Sequence, residues 1–125
     1  MQTAPLATSD LHVTPFALGT MTFGKEADET TSHALLDQYV AAGGNLIDTA
    51  DVYSKGLSEE IIGRWLKNSG KRDEVLIATK ARFALEKGGP RGLHPDYLRG
   101  AIEDNLRRLD IETIDLFQPH TFDPQ

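Results

Sequence analysis

Four residues able to move protons or steady a developing negative charge stand just after short apolar runs. Asp48 closes Asn45–Asp48, Tyr53 follows five residues later, Lys80 closes Glu74–Lys80, and His120 follows Thr113–Phe117. Singly, each has an ordinary structural role: Asp48 capping a loop, Tyr53 packing, Lys80 extending its stem to the surface, His120 in the turn after Pro119. Together they describe a reaction. A phenol is a reluctant acid, and a nearby ammonium favours its ionised form, which Lys80 can do for Tyr53. Asp48 can hold the ammonium in an ion pair, and an imidazole at His120 can hydrogen-bond a carbonyl oxygen and orient it toward the phenol. The set suits carbonyl reduction, in which the oxygen gains negative charge and then a proton. No side chain supplies hydride, so a nicotinamide must.

These residues meet only if their runs are neighbouring parallel strands, and the hydrophobic pattern supports this. Leu11–Thr14 alternates as a half-exposed strand does, so residues 1–14 read as a hairpin or arm. Phe16–Gly19 is a buried strand delivering the irregular loop Met21–Lys25. From Asp28 the period becomes helical through Leu35, Leu36, Tyr39 and Val40, with Gly43-Gly44 as the stop. Asn45–Asp48 is the next strand, and a helix from about Ser58, its expected N-cap, carries Ile61, Ile62, Trp65 and Leu66 to a stop at Gly70. Glu74–Lys80 is a third strand. A loop at Gly88–Gly92 and a helix with Pro95 in its first turn and Leu98, Ile102, Leu106 and Leu109 on one face lead to the fourth, Thr113–Phe117. Strands alternating with helices indicate right-handed βαβ units on a parallel sheet, and the carboxyl ends of such strands are where catalytic side chains collect.

Composition narrows the function classes. Of 125 residues, 39% are hydrophobic and 26% charged, a globular balance that excludes disordered and low-complexity chains. Thirteen Lys and Arg against nineteen Asp and Glu, with no basic block, argue against nucleic acid or an anionic membrane as partner. The absence of cysteine removes disulfides, thiol nucleophiles and thiolate metal sites, and suits a cytoplasmic protein. His12, His33 and His94 lack metal-ligand spacing, so no metal is expected. Neither an export signal nor a membrane span is legible.

The stretch Gly44-Asn45-Leu46-Ile47-Asp48-Thr49-Ala50-Asp51-Val52-Tyr53, continuing through Ser58–Gly63, resembles the signature segment of the aldo-keto reductase superfamily. Gly19–Gly24 is similar to that family's first βα loop, Ile77–Lys80 to its third strand and Ile114–His120 to its fourth, so the resemblance runs from residue 11 to 121. It implies an α/β fold of the parallel (β/α)8 TIM-barrel type and NADP(H)-dependent reduction of small aldehydes or ketones. Tyr53 would be the general acid, Lys80 and Asp48 would tune it, and His120 would orient substrate. Thr20, Met21, Thr22 and Asp48 would lie near the nicotinamide and its ribose, and Phe23 and Phe83 would line the substrate pocket.

A complete barrel of this type takes about 250 residues. Residues 1–125 therefore read as a single partial barrel domain: the arm 1–14, then a half barrel over 15–125 with four strands and three helices. The cofactor's pyrophosphate contacts would belong to the other half, and Gly88–Gly92 has the wrong spacing for either phosphate-binding glycine motif. Open sheet edges would make such a chain associate with itself or with a complementary half-barrel chain. The expectation is thus a truncated reductase; the alternatives are a regulatory or binding subunit, or a structural half barrel that needs a partner.

Overall fold

In the computed structural model, which describes residues 1–124, local sequence chemistry sets where each helix begins and ends. Helix α1 spans Glu29–Ala41, and the Asp28 carboxylate caps it by accepting from the Thr31 N–H at 2.8 Å. Leu36 on this helix is fully buried, whereas Leu35 is 39% exposed, so the apolar face is narrower than its spacing suggests. Helix α2, Leu57–Ser69, follows a single 3-10 turn over Tyr53–Gly56. Its N-cap is Gly56, left-handed at φ 95°, and not Ser58. The Ser58 hydroxyl is instead buried, donating to the Thr20 carbonyl at 2.9 Å and contacting the Thr20 and Thr49 hydroxyls. Gly70 ends α2 at φ 68°, as its position predicts. Helix α3, Pro95–Leu109, has Pro95 in its first turn, and the His94 ring accepts from the Asp96 N–H at 3.3 Å.

The amino-terminal arm is a hairpin, β1 at Ala4–Pro5 pairing antiparallel with β2 at His12–Val13. Strands β3 (Leu18–Gly19), β4 (Leu46–Asp48), β5 (Leu76–Ala81) and β6 (Leu116–Pro119) then form one parallel sheet in chain order. This is the α/β, parallel-sheet architecture expected. All four strands begin later than the apolar runs, and the first is shorter and less buried than expected: Phe16 lies outside β3 and is exposed. Glu74 falls in a 3-10 turn, and residues 113–115 bind Arg72 instead of extending β6. The Arg72 guanidinium donates to the Thr113 carbonyl at 2.9 Å and to the Asp115 carboxylate at 2.8 Å. That carboxylate also accepts the Ile77 N–H at 2.8 Å, taking the place of a strand carbonyl at the entrance to the ladder.

The core fills the space between the sheet and the helices. Phe23, Leu36, Ile47, Ile61, Ile62, Ile77 and Leu109 are each at most 2% exposed, and Trp65 joins them while its indole N–H reaches Asp37 at 2.9 Å. Each such side chain contributes about 1.5–3 kcal/mol of burial. A buried polar network ties three elements together. Glu59 of α2, fully buried, accepts from Thr79 of β5 at 2.9 Å, from Asn105 of α3 at 2.6 Å and from Arg108 of α3 at 2.9 Å. Burial pushes the Glu59 carboxyl up from its ordinary range while Arg108 and these donors oppose the shift.

Candidate active site

Parallel pairing places Asp48, at the end of β4, opposite Ala78. Beyond Asp48 the backbone continues to bond with β5: the Thr49 N–H donates to the Ala78 carbonyl at 2.9 Å and the Asp51 N–H to the Lys80 carbonyl at 3.1 Å. These bonds fix the path from Asp48 to Tyr53. The turn that follows holds two non-glycine residues in the left-handed region, Ser54 at φ 51° and Lys55 at φ 54°, and the Ser54 hydroxyl anchors it to the Phe23 carbonyl at 2.7 Å. Left-handed backbone costs an ordinary residue roughly 1–2 kcal/mol, a strain carried here beside the phenol.

The Lys80 ammonium is the centre of the cluster. It donates to both Asp48 oxygens at 2.9 Å and to the Thr49 carbonyl at 2.8 Å, and lies 3.4 Å from the Tyr53 hydroxyl and 5.1 Å from its ring centre. The Lys80 side chain is 14% exposed and that of Asp48 34%, so the pair sits at the rim of the sheet with one side open. His120 reaches the same area because its N–H continues the ladder past β6 to the Ala81 carbonyl at 3.1 Å. Its ring stands edge-on to Tyr53 at 5.8 Å and to Phe83 at 5.0 Å. Burial lowers the imidazole's pKa, the Lys80 charge lowers it further and Asp48 opposes both, so the ring is neutral at pH 7.

The geometry therefore gathers Asp48, Tyr53, Lys80, His120 and Phe83, the acid–base set and one of the two expected pocket residues. Phe23 does not join them: at 1% exposure its ring belongs to the core, because its loop folds back through the Phe23–Ala27 bridge. The Thr20 side chain is also turned inward, donating to the Asp48 carbonyl at 3.0 Å, while Met21 and Thr22 are exposed on the same loop. Two features near the cluster escaped the sequence reading. The Thr49 carbonyl holds the ammonium through backbone, which no residue type announces. Asp51 is 1% exposed with its carboxyl pushed up to about 6, first by burial and then by the Glu59 charge. The ladder that continues past Asp48 could have signalled its inward position.

The remaining histidines have structural partners: the His33 ring meets the Ile61 carbonyl at 2.9 Å, and His94 caps α3. Among the described residues no group of three or more His, Asp or Glu side chains is placed to hold a metal ion. No described helix is long and apolar enough to cross a membrane.

Residues 15–125 match the family model for the Aldo/keto reductase family. The chain is 38% identical over 133 residues to Protein tas of Escherichia coli, covering 96% of this chain and 38% of that protein. It is 35% identical over 131 residues to the aryl-alcohol dehydrogenase [NADP(+)] of Phanerodontia chrysosporium, covering 90% of this chain and 34% of the other. Among solved structures, the aldo-keto reductase AKR11C1 from Bacillus halodurans in its holo form matches with a TM-score of 0.83 and 39% identity, over 95% of this chain and 40% of that one. The chain thus spans about two fifths or less of the length of these relatives. With the family segment covering both the fold and the Asp48–Lys80–Tyr53 cluster, the chain belongs to the aldo/keto reductase family.

Proposed function

We propose that this chain carries the proton-transfer part of an NADP(H)-dependent carbonyl reductase site, acting on small aldehydes or ketones. The observation that carries the reading is the Lys80 ammonium, held by Asp48 at 2.9 Å and 3.4 Å from the Tyr53 hydroxyl. A carbonyl oxygen beside this hydroxyl takes its proton as negative charge develops, and the ammonium stabilises the phenolate that remains. Asp48 and the Thr49 carbonyl keep the ammonium fixed, so little reorganisation is needed at the moment of transfer. The neutral His120 ring donates a hydrogen bond to the same oxygen and orients it, with Phe83 bounding the space beside it.

The residues present fit the reactive end of a nicotinamide cofactor and not its phosphates. Asp48 offers a part-exposed carboxylate, and Met21 and Thr22 stand open beside it. The neighbouring cations are engaged elsewhere: Lys55 with Glu86 and Arg82 with Asp123. When bound, the cofactor supplies hydride to the carbonyl carbon. With the proton from Tyr53 that completes the alcohol.

The test is NADPH oxidation by the 125-residue chain with 4-nitrobenzaldehyde, run beside Tyr53→Phe. Turnover that Tyr53→Phe reduces by about 10²-fold or more is the expected result. Turnover undiminished in Tyr53→Phe removes the phenol from the mechanism, and none above the blank overturns the proposal for this chain on its own. The open sheet supports a further part of the reading, that the chain works in association with a second copy or a complementary half-barrel chain.

A further inference from the structure

A cavity of about 420 Å³ lies between α3, the loop over residues 82–94 and the turn after β4. It serves no step of the proposed reaction, since Asp48, Tyr53, Lys80 and His120 do not line it. No residue of β3 or β6 lines it either. The volume lies within the range that small molecules occupy. Its walls are apolar at Leu85, Pro90, Ala101 and the ring of Tyr97.

Asp51 is one of its lining residues. The residue is 99% buried by its 1% exposure, and its Oδ1 meets no hydrogen-bond donor. A buried acceptor without a donor is costly, and nothing lining the cavity relieves it. Arg108, the one cation among the described lining residues, already serves Glu59 through Nε and a terminal nitrogen, both at 2.9 Å. The other charged groups on the lining are the acids Glu86, Asp96 and Asp104, each paired outward with Lys55, Arg99 and Arg107 respectively. Apolar walls beside a buried carboxylate with one unsatisfied oxygen, and further acids on the lining, select for a cation on an apolar body and against an anion.

We propose that this cavity binds a small organic cation, an ammonium group on an apolar frame, with the Asp51 carboxylate as its counter-ion. The groups facing Asp51 are Glu59 of α2 and Arg108 and Tyr97 of α3; burial and then the Glu59 charge push its carboxyl up to about 6, while Arg108 and the backbone N–H groups of Val52 and Asp51 oppose the shift. An ammonium ligand binds the ionised form, so affinity rises as pH increases through 6. The Asp51 backbone is bonded to Lys80 and lies two residues before Tyr53, which places this ligand directly behind the turn that carries the phenol.

The experiment is a titration of the ¹⁵N-labelled 125-residue chain at pH 7 with benzylamine, phenethylamine and cyclohexylamine, each beside its alcohol analogue. Expected are saturable shifts at the amides of Asp51, Tyr97 and Ala101 for an amine, with binding of the alcohol weaker by roughly tenfold or more. Asp51→Asn should weaken amine binding by the same factor. Gly100→Leu provides a second test that does not depend on that variant folding. An added Cβ at Gly100 meets nothing within 4 Å, leucine is a better helix former than glycine, and its side chain would occupy the cavity and abolish binding. No saturable shift with any amine, equal binding of amine and alcohol, or unchanged amine binding in Asp51→Asn or Gly100→Leu would overturn the proposal.

Discussion

In the proposed reaction the Lys80 ammonium has two duties, and a single substitution removes both. Lys80→Met removes the charge that favours proton release by Tyr53 and leaves the Asp48 carboxylate without its cation. Turnover should drop by about 10²-fold or more. Stability should fall by about 1–2 kcal/mol, less than for a fully buried pair because Asp48 remains a third exposed, as denaturant titration would show. Asp51 gives a pH signature of its own. Its folded carboxyl holds a proton up to about 6, above the ordinary carboxylate range, so the folded state binds more protons than the unfolded chain between about pH 4 and 6. Stability therefore declines as pH rises through that window, by on the order of 2–3 kcal/mol, and is level above it for this group. Asp51→Asn should flatten the decline measured by thermal unfolding across pH, leaving the slope that Glu59, shifted in the same direction, contributes. The acid, ammonium, phenol and imidazole were legible because their types are scarce and each follows an apolar run. Phe23 and Thr20 were not, since position on a loop does not say which way a side chain turns.

At the level of elements, helix limits were read best where one residue type dominates the geometry. Asp28, Gly70 and Pro95 each act where expected, through a capping carboxylate, a left-handed stop and a first-turn ring. Ser58 has the right type for an N-cap but is claimed by a tertiary hydrogen bond to Thr20, and a glycine takes its place. The late start of β6 has a similar cause, a long-range demand from Arg72 that overrides local strand preference. Gly63 shows packing that no periodicity reveals. A Cβ there would lie 2.7 Å from the carbonyl oxygens of both Arg108 and Leu109, so α2 and α3 approach through backbone. Gly63→Ala should lower stability by about 1–2 kcal/mol despite alanine's better helix propensity, seen as a lower denaturant midpoint with an unchanged slope.

Over the whole chain, the exposed surface is 7416 Å², against about 6,600 Å² for a compact monomer of this size. The excess accompanies a four-stranded sheet whose outer strands, β3 and β6, each have one neighbour. Phe16 and Phe122 are 72% and 80% exposed. Unpaired strand edges and bare aromatic rings favour association. Sedimentation velocity over a concentration series should show self-association, whereas a monodisperse monomer throughout would show that the edges are sufficiently protected by their short strands. The parallel sheet was legible in the alternation of strand and helix patterns, and its order in the resemblance to the barrel family. The 3-10 turns and the cavity beside α3 were not, because both arise from loops whose paths depend on distant contacts.

Because the strands lie in the sheet in the order in which the chain is made, the site also has an order of assembly. Asp48 is in place once β4 pairs with β3, Lys80 reaches it when β5 adds beside them, and His120 arrives with β6. Each addition closes onto a strand already present through a single helical crossover, so no step waits for a distant segment. On a ribosome the groups would emerge in that same order, the Asp48–Lys80 ion pair before the imidazole, which would be the last of the four to dock.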